Sequence, residues 1–427
     1  MTSTYDNSHI ESSSLHEPFL ERAADTDAQE SGGNGLGAFL TLRLIDQFSA
    51  DRERIHREAT AYQVTATGEF LNDIYPHTPE VIHLRELVHV SGTALDTSDR
   101  RLLLPPLMAF AFWLEQELRL DEAMDVLKTA LQLSDGRDGE EEVAAHLQYA
   151  RVLRMRGDFE GARRSYTRSG NIAATLQDNH SVLLSQIGLA MVLQKTGNLP
   201  GSERIFREVI VEAERTGDRD AEARACHDLS GTLYYASRTS EGAQLAFRAF
   251  ELYEQSILRF RALSDTGIFL KELGHYSEAK RAFLIVLGSN PAPGVRARTV
   301  SELLDLGALT DDRVSFERWR RELAVQYDQL PPDDQVDFDM KVGSGLSVFG
   351  RQQAAVKHYE RALRVAEQCH LGERVFTVEK LLRDERERRT HGVDYTTLRI
   401  PKEVSDVRLL ETLDGLNALA VPELTAS

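Results

Sequence analysis

A short pattern of glycine, aromatic and alanine returns through the middle of the chain, and it constrains the fold more than any other feature. Residues 157–162 read GDFEGA, residues 274–279 read GHYSEA, and looser copies begin at Gly197 and Gly350. We number each copy so that its alanine stands at position 20. The copies then begin at Leu104, Val143, Leu183, Arg224, Phe260 and Val336. The first five starts are 36 to 41 residues apart and the last gap is 76, which indicates an internal repeat of about 40 residues.

Equivalent positions of the copies carry equivalent side chains. Position 8 is always small: Ala111, Ala150, Ala190, Gly231, Gly267 and Gly343. Position 20 is also small: Ala123, Ala162, Ser202, Ala243, Ala279 and Ala355. Position 24 is large: Leu127, Tyr166, Phe206, Phe247, Phe283 and Tyr359. Small residues let two helices of a copy approach closely while the large one fills the space beside them. One copy cannot bury its apolar face alone, so successive copies must stack.

This pattern resembles the tetratricopeptide repeat (TPR) family over residues 104–370. The family period is 34 residues, so the longer spacing here is similar to a long-period subgroup, and the family's frequent tryptophan at position 4 is absent. The resemblance implies an all-α protein: a right-handed α-solenoid of stacked antiparallel helix pairs with helical caps. It also implies a non-catalytic scaffold that binds a protein or peptide partner in its concave groove. The alternative is a peptide-responsive regulatory sensor that releases a regulatory partner when its ligand binds.

Four regions follow from the pattern. Residues 1–35, rich in Ser, Asp, Glu and Gly, are expected to be a disordered tail. Residues 36–103 are expected to form a helical cap, residues 104–370 the repeats, and residues 371–427 a terminal helix and tail. A degenerate copy occupies 292–329, where even spacing puts Asp305 and Glu317 at the small positions.

The tail contains one amphipathic stretch. Leu409, Leu413, Leu416 and Ala420 recur at steps of four, three and four, which predicts an apolar stripe on a short helix. Three interpretations stay open: a cap packed on the last repeat, a latch that enters the groove, or a helix that docks on a partner.

Composition and motifs exclude several function classes. The net charge of −18 argues against general nucleic-acid binding, which relies on Lys and Arg. Cys226 and Cys369 are far apart, and His83 and His89 are poorly aligned on a helix, so we expect no metal and no other cofactor. No apolar run approaches the ~20 residues of a membrane span, and no basic start precedes an apolar core. We therefore expect no membrane association and a cytoplasmic location.

No catalytic arrangement emerges from the sequence. His227, Asp228 and Ser230 bring three catalytic residue types together, but neighbouring residues on a helix point about 100° apart, so Asp228 cannot orient His227. We therefore expect that the chain is not an enzyme. Its oligomeric state is left open.

The resemblance also implies which residues line the groove. In such proteins the concave surface is formed by first-helix positions such as 5, 6, 9, 12 and 13. Carried onto this chain, these positions are Gln148, Arg151, Arg154, Met155, Met191, Gln194, Lys195, Thr232, Tyr235, Ile268 and Lys271. The family's carboxylate clamp is not expected, because positions 5 and 6 lack its Lys and Asn. Arg151, Arg154 and Lys195 group on two neighbouring copies, which predicts docking of an acidic peptide segment.

Overall fold

A computed structural model describes residues 16–24, 29–48, 56–73, 78–134, 139–391 and 407–421, and these residues form helices, turns and short connections. The chain divides into two compact bodies between Asn198 and Leu199. In the part of the chain that the structure describes, no helix is long and apolar enough to cross a membrane.

The N-terminal body contains nine α-helices within the described residues. They are α1 (Glu17–Ala24), α2 (Gln29–Ile45), α3 (Arg57–Asp73), α4 (Pro79–Thr97), α5 (Leu104–Gln116), α6 (Leu120–Ser134), α7 (Glu140–Arg156), α8 (Phe159–Leu176) and α9 (Asn179–Lys195). From α5 onward, consecutive helices pack against one another.

The C-terminal body contains eleven α-helices within the described residues. They are α10 (Leu199–Thr216), α11 (Arg219–Tyr235), α12 (Thr239–Leu252), α13 (Ser256–Glu272), α14 (Tyr276–Gly288), α15 (Pro293–Leu309), α16 (Arg313–Ala324), α17 (Pro332–Val348), α18 (Gln352–Gln368), α19 (Gly372–His391) and α20 (Val407–Ala418). The predicted all-α class, built from consecutive antiparallel helix pairs, is confirmed.

The turns inside the pairs follow from two residue types. Gly157, Gly197, Gly274 and Gly350, all at position 15 of their copies, have positive φ and terminate the first helix. In two pairs an aspartate then begins the second helix: the carboxylate of Asp158 accepts a hydrogen bond from the Gly161 amide at 2.8 Å, and that of Asp312 accepts from the Ser315 amide at 3.0 Å. Helices α7 and α8 are 17 and 18 residues long with a two-residue turn between them. The residues beyond the usual period therefore lie in the helices.

Helices also occupy part of the region that we expected to be disordered. Glu17–Ala24 and the residues from Gln29 onward are helical, and the Phe19 side chain is fully buried, so the expected disorder is not found there. The glycine content that indicated a flexible tail has a packing role at Gly35. A Cβ atom there would lie 2.9 Å from the backbone nitrogen of Ala23 on α1. Residues 1–15 lie outside the described part.

Two charge clusters fix this early segment to the repeats. Glu80 is buried at the start of α4. Its carboxylate forms ion pairs with Arg22 of α1, at 2.6 Å, and with Arg119, just before α6, at 2.8 Å. Burial alone would raise the pKa of Glu80, but hydrogen bonds from Arg119 and Arg22 hold it below its usual value.

The second cluster centres on His16. Its buried ring lies between the carboxylates of Asp125, at 2.6 Å, and Asp46, at 3.2 Å. Burial disfavours the imidazolium, but the two aspartates outweigh it and raise the pKa of His16 to about 9. His16 is therefore charged at neutral pH and links the start of α1 to α6.

The degenerate copy of the repeat forms a regular helix pair, α15 and α16. Even spacing placed the small residue at Asp305, but the small residue is Gly307, two positions further on. A Cβ atom on Gly307 would lie 2.8 Å from the backbone nitrogen of Phe316 on α16. The close approach of the two helices is thus kept, with a shifted residue.

The C-terminal amphipathic stretch forms α20, and its position differs from the first two interpretations of the sequence. It packs on α12 and α14, the second helices of the copies that begin at Arg224 and Phe260. Leu409, Leu413 and Leu416 are buried, as the stripe predicted, whereas Ala420 is exposed and lies beyond the end of α20. The helix is therefore neither a cap on the last repeat, α17 and α18, nor a latch on the first helices.

Candidate binding surface

The predicted groove residues lie on two bodies, so two surfaces have to be considered separately. On the N-terminal body they belong to α7 and α9, which pack side by side, and α5 packs on the other side of α7. On the C-terminal body they belong to α11 and α13. We call the exposed first-helix residues of α5, α7 and α9 the N-terminal first-helix surface.

Three of the eleven predicted residues are buried, and they serve helix packing instead of a surface. Gln148 donates from Nε2 to the carbonyl of Met108 at 3.4 Å, and Thr232 donates to the carbonyl of Asp228 at 3.3 Å. The ammonium of Lys271 lies 2.6 Å from Glu302 and 2.7 Å from Asp305. For these three side chains the predicted role in ligand contact is replaced by a structural one.

The lysine belongs to a network across α13, α15 and α17. Lys341 of α17 contacts Glu302 at 2.7 Å and Asp337 at 2.7 Å, so Glu302 is shared by two lysines. Burial disfavours the charged form of Lys271, but Asp305 and Glu302 outweigh it, and the pKa of Lys271 lies above its usual value. Each charged side chain of this network pairs with an opposite charge, so the network offers no unpaired charge to a ligand.

Two other predicted residues on the C-terminal body stay accessible. Tyr235 is 63% exposed at the end of α11, and Ile268 of α13 is half-buried. With the neighbouring lysine engaged, they leave little polar chemistry for a ligand.

The N-terminal first-helix surface presents apolar and cationic groups together. Phe112 of α5 and Met155 of α7 are 48% and 40% exposed, whereas Met108 and Met191 are half-buried beside them. Three of the chain's six methionines thus lie on adjacent first helices. Methionine side chains are flexible and polarizable, so such a surface adapts to apolar ligands of different shape.

The two arginines of α7 differ in their surroundings. Arg151 donates from Nε and Nη2 to the buried carboxylate of Glu115, at 3.0 and 2.6 Å, and its guanidinium lies over the ring of Phe112. Arg154 forms no ion pair with any residue that the structure describes. Its buried Nε donates no hydrogen bond to any of these residues. Arg151 is therefore neutralised by its own chain, whereas Arg154 can receive an external anion.

Position 13 of the next copy adds a second cation. Lys195, at the end of α9, is exposed and has no ion pair among the described residues, and Gln194 beside it is half-buried. The surface therefore combines Arg154 and Lys195 with the apolar side chains of Phe112, Met155 and Met191.

The first copy also contributes to this surface, with residues that were not among those predicted from the sequence. Met108, Phe112 and Glu115 stand at positions 5, 9 and 12 of the copy that begins at Leu104. The same numbering that selected residues from α7 onward would have found them.

The candidate triad is not assembled. Nε2 of His227 faces Asp265 of α13 at 2.8 Å, and the Ser230 hydroxyl donates to the backbone carbonyl of His227 at 2.6 Å. The histidine thus joins α11 to α13, and Ser230 has no contact with its ring nitrogen.

The repeat contacts themselves decide the class of the protein. All six position-20 residues are fully buried, and all six position-24 residues are buried. A Cβ atom on Gly267 would lie 2.7 Å from the ring of Phe283, and one on Gly343 would lie 2.6 Å from the ring of Tyr359. Small position 8 thus faces large position 24 inside the pairs α13–α14 and α17–α18. The chain is a TPR-like helical repeat protein.

Comparisons with solved structures found other helical repeat proteins. The apo form of RapI aligns at 12% identity over 80% of this chain and 99% of its own, with a TM-score of 0.48. Aspartyl phosphate phosphatase F from Bacillus subtilis aligns at 13% over 86% and 96%, with a TM-score of 0.47. The apo quorum sensor NprR from B. thuringiensis aligns at 11% over 87% and 97%, with a TM-score of 0.40. No protein-family model and no curated protein matches the sequence.

Proposed function

We propose that this TPR-like protein binds a peptide segment of a protein partner on its N-terminal first-helix surface. The segment carries at least one carboxylate beside large apolar side chains. The observation that carries the proposal is the pair of unneutralised cations, Arg154 and Lys195, on the same set of neighbouring first helices as exposed Phe112 and Met155.

The charge pattern favours an acidic ligand over a neutral one. Arginine forms short, charge-assisted hydrogen bonds with carboxylates, and a partly buried guanidinium without a partner gains most from such a ligand. Arg151 is already paired with Glu115, so it does not need to contact the ligand. Its guanidinium lies over the ring of Phe112 and helps to position that ring.

The apolar part of the surface favours a ligand with Leu, Met or Phe. Exposed aromatic and methionine side chains are enriched where proteins contact partners, and charged groups at the edge set the orientation. A segment that combines both chemistries satisfies the whole surface, whereas a purely acidic one leaves Phe112 and Met155 in water.

Fluorescence anisotropy with the full chain tests the proposal. The probes are labelled 12-residue peptides that combine Asp or Glu with Leu, Met or Phe, and counterparts in which Asn or Gln replaces each acid. We expect acidic peptides to bind at least about tenfold more tightly, a difference of roughly 1.4 kcal/mol. Equal affinities of the two sets would contradict the proposal.

A pair of charge-matched variants locates the site. Arg154→Glu with Lys195→Glu should remove at least about tenfold in affinity. The control, Lys128→Glu with Arg164→Glu, changes the net charge equally but alters exposed side chains on the second helices α6 and α8. It should bind like the parent. Equal losses in both double variants would mean that only the overall charge matters.

The sensor hypothesis adds a further requirement. Binding of the acidic peptide would then change the radius of gyration measured by small-angle scattering. A scaffold requires no such change.

A further inference from the structure

The contact between α20 and the second helices α12 and α14 has the form of a ligand on a receptor. The helix lies on this surface through Leu409, Leu413 and Leu416, whereas Leu410 on its other side is 55% exposed. Such an arrangement of apolar residues at steps of four and three is the usual way in which an amphipathic helix occupies a groove.

Two features make the fit specific. A Cβ atom on Gly415 would lie 2.8 Å from the ring of Phe247 on α12, so only glycine allows this approach. At the other end, Arg281 of α14 donates to the carbonyls of Leu416 and Asn417, each at 3.0 Å, and also to that of Leu419. These carbonyls belong to the last turn of α20 and its exit, where the amide four residues further on is no longer helical. That of Leu416 also accepts a hydrogen bond from the Leu419 amide at 3.2 Å. The surface thus recognises both an apolar stripe and a helix end.

The surface is complete without α20. Helix α12 already packs on α11 and α13, and α14 packs on α13 and α15. Conversely, a 12-residue helix is only marginally stable alone in water, so α20 depends on its contact for its structure. Helix α20 thus needs the surface in order to fold, whereas the surface does not need α20.

The chain length permits exchange of this helix. Fifteen residues, 392–406, separate the end of α19 from the start of α20, and a chain of that length spans at most about 50 Å. The α20 of a second copy would make the same contacts as the chain's own helix. Exchange of an identical element therefore costs no contact, which is the basis of domain swapping.

We propose that the α12–α14 surface is a receptor site for an amphipathic helix and that a second copy of this chain occupies it with its own α20 by exchange. The site lies on second helices and is independent of the peptide-binding proposal for α5, α7 and α9. Dilute chains retain their own helix because its effective concentration is high, and concentrated chains exchange it.

The receptor claim is tested with the full chain, into which a specific protease sequence is placed within residues 392–406. After cleavage, the α20 fragment should stay with the body during size-exclusion chromatography. A labelled peptide of residues 407–421 should then replace it, and the same peptide with Leu413→Asp should bind at least tenfold more weakly. No binding of the labelled peptide to the cleaved protein would overturn the receptor claim.

Substitution of Arg281 separates recognition from folding. The side chain is only half-buried, so Arg281→Ala should leave the helical signal of the cleaved protein without its α20 fragment unchanged, while it weakens peptide binding at least tenfold. Arg281→Lys retains one donor group and should lose less. Unaltered binding by Arg281→Ala would show that the helix end is not recognised.

The second-copy claim needs a separate measurement. Two uncut full-length forms with different affinity tags are mixed at high concentration, incubated and purified through one tag. The other form should be recovered with it, and Leu413→Asp in both forms should abolish recovery. Failure of the parent forms to co-purify, when the peptide does bind, would overturn the exchange between copies.

Discussion

Replacement of Gly267 by alanine tests the contact on which the repeat depends. Gly267 is buried at position 8, in the first helix of the pair α13–α14. A Cβ atom there would lie 2.7, 2.9 and 3.1 Å from three carbons of the Phe283 ring, which is itself fully buried. Ordinary contacts of this kind begin near 3.4 Å, so the ring or the helix must move by roughly 0.7 Å within a close-packed interior.

Two effects of opposite sign determine the magnitude. Alanine is favoured over glycine inside a helix by about 1 kcal/mol, whereas overpacking of a core costs about 1–3 kcal/mol. Gly294→Ala in α15 provides a control in the same body, because no atom lies within 4 Å of its added Cβ. We expect Gly267→Ala to be about 1–3 kcal/mol less stable to unfolding than Gly294→Ala.

Tryptophan fluorescence can follow the relevant body alone. The chain's two tryptophans, Trp113 and Trp319, lie one in each body, so a Trp113→Phe background reports the C-terminal body through Trp319 during urea unfolding. Adding Phe283→Leu should relieve part of the overpacking, so the double variant should lose less than the sum of the single losses. Equal stability of Gly267→Ala and Gly294→Ala would refute the close approach of α13 and α14.

Three further predictions concern stability. Its two aspartates raise the pKa of His16 from 6.5 to about 9. The ion pairs of the charged ring therefore stabilise the N-terminal body fully below pH 6.5. That contribution, up to about 3 kcal/mol, should disappear as the pH rises through 9. His16→Gln should abolish this slope in urea unfolding followed by fluorescence, and a parent without the slope would contradict the cluster. Leu118 is 73% exposed and has a φ of 59°, so Leu118→Gly should raise the free energy of unfolding by about 1 kcal/mol. Gly157→Ala, at the same repeat position, should lower it by a similar amount. Calorimetry that gives the same sign for both changes would refute this. Lys271→Met should cost about 3 kcal/mol because it leaves buried carboxylates with one lysine, and a loss below about 1 kcal/mol in urea unfolding would show that the network is dispensable.

The structure also changes the experiment that the sequence alone suggests for the site. Arg151 and Arg154 appear equivalent in sequence, and a double charge reversal should then remove only the ligand. Arg151, however, neutralises Glu115, whose side chain is 5% exposed. Reversing its charge would place two carboxylates together and destabilise the packing of α5 on α7. The pair Arg154 and Lys195 avoids this effect.

The repeat could be predicted because its signal is local and recurs. Small positions such as Gly267 and large ones such as Phe283 keep a fixed spacing, and each helix packs on its neighbours in the chain. The position of α20 could not be predicted, because a stripe of leucines shows which side is buried but not against which helix. The helices that begin at Glu17 and Gln29 were missed for a related reason: their partners, such as Glu80, which accepts from Arg22 of α1, lie far along the chain.

The surface was predictable in part. Repeat numbering located Arg154, Met155 and Lys195, which are accessible. It could not show that Lys271 is buried against Glu302, because the alignment fails in the copy that supplies the glutamate. Which cations remain without partners depends on side chains from different helices, and only the packing of these helices brings them together.

The central claim concerns where the acidic peptide binds, and methyl NMR of methionine tests it most directly. In protein labelled at the methionine methyl groups, titration with an acidic, apolar peptide should shift the signals of Met108, Met155 and Met191. Those of Met124 on α6 and Met340 on α17 should stay in place. If the peptide binds and the first three signals do not move, or if Met340 moves instead, the ligand lies elsewhere and the proposed surface is wrong.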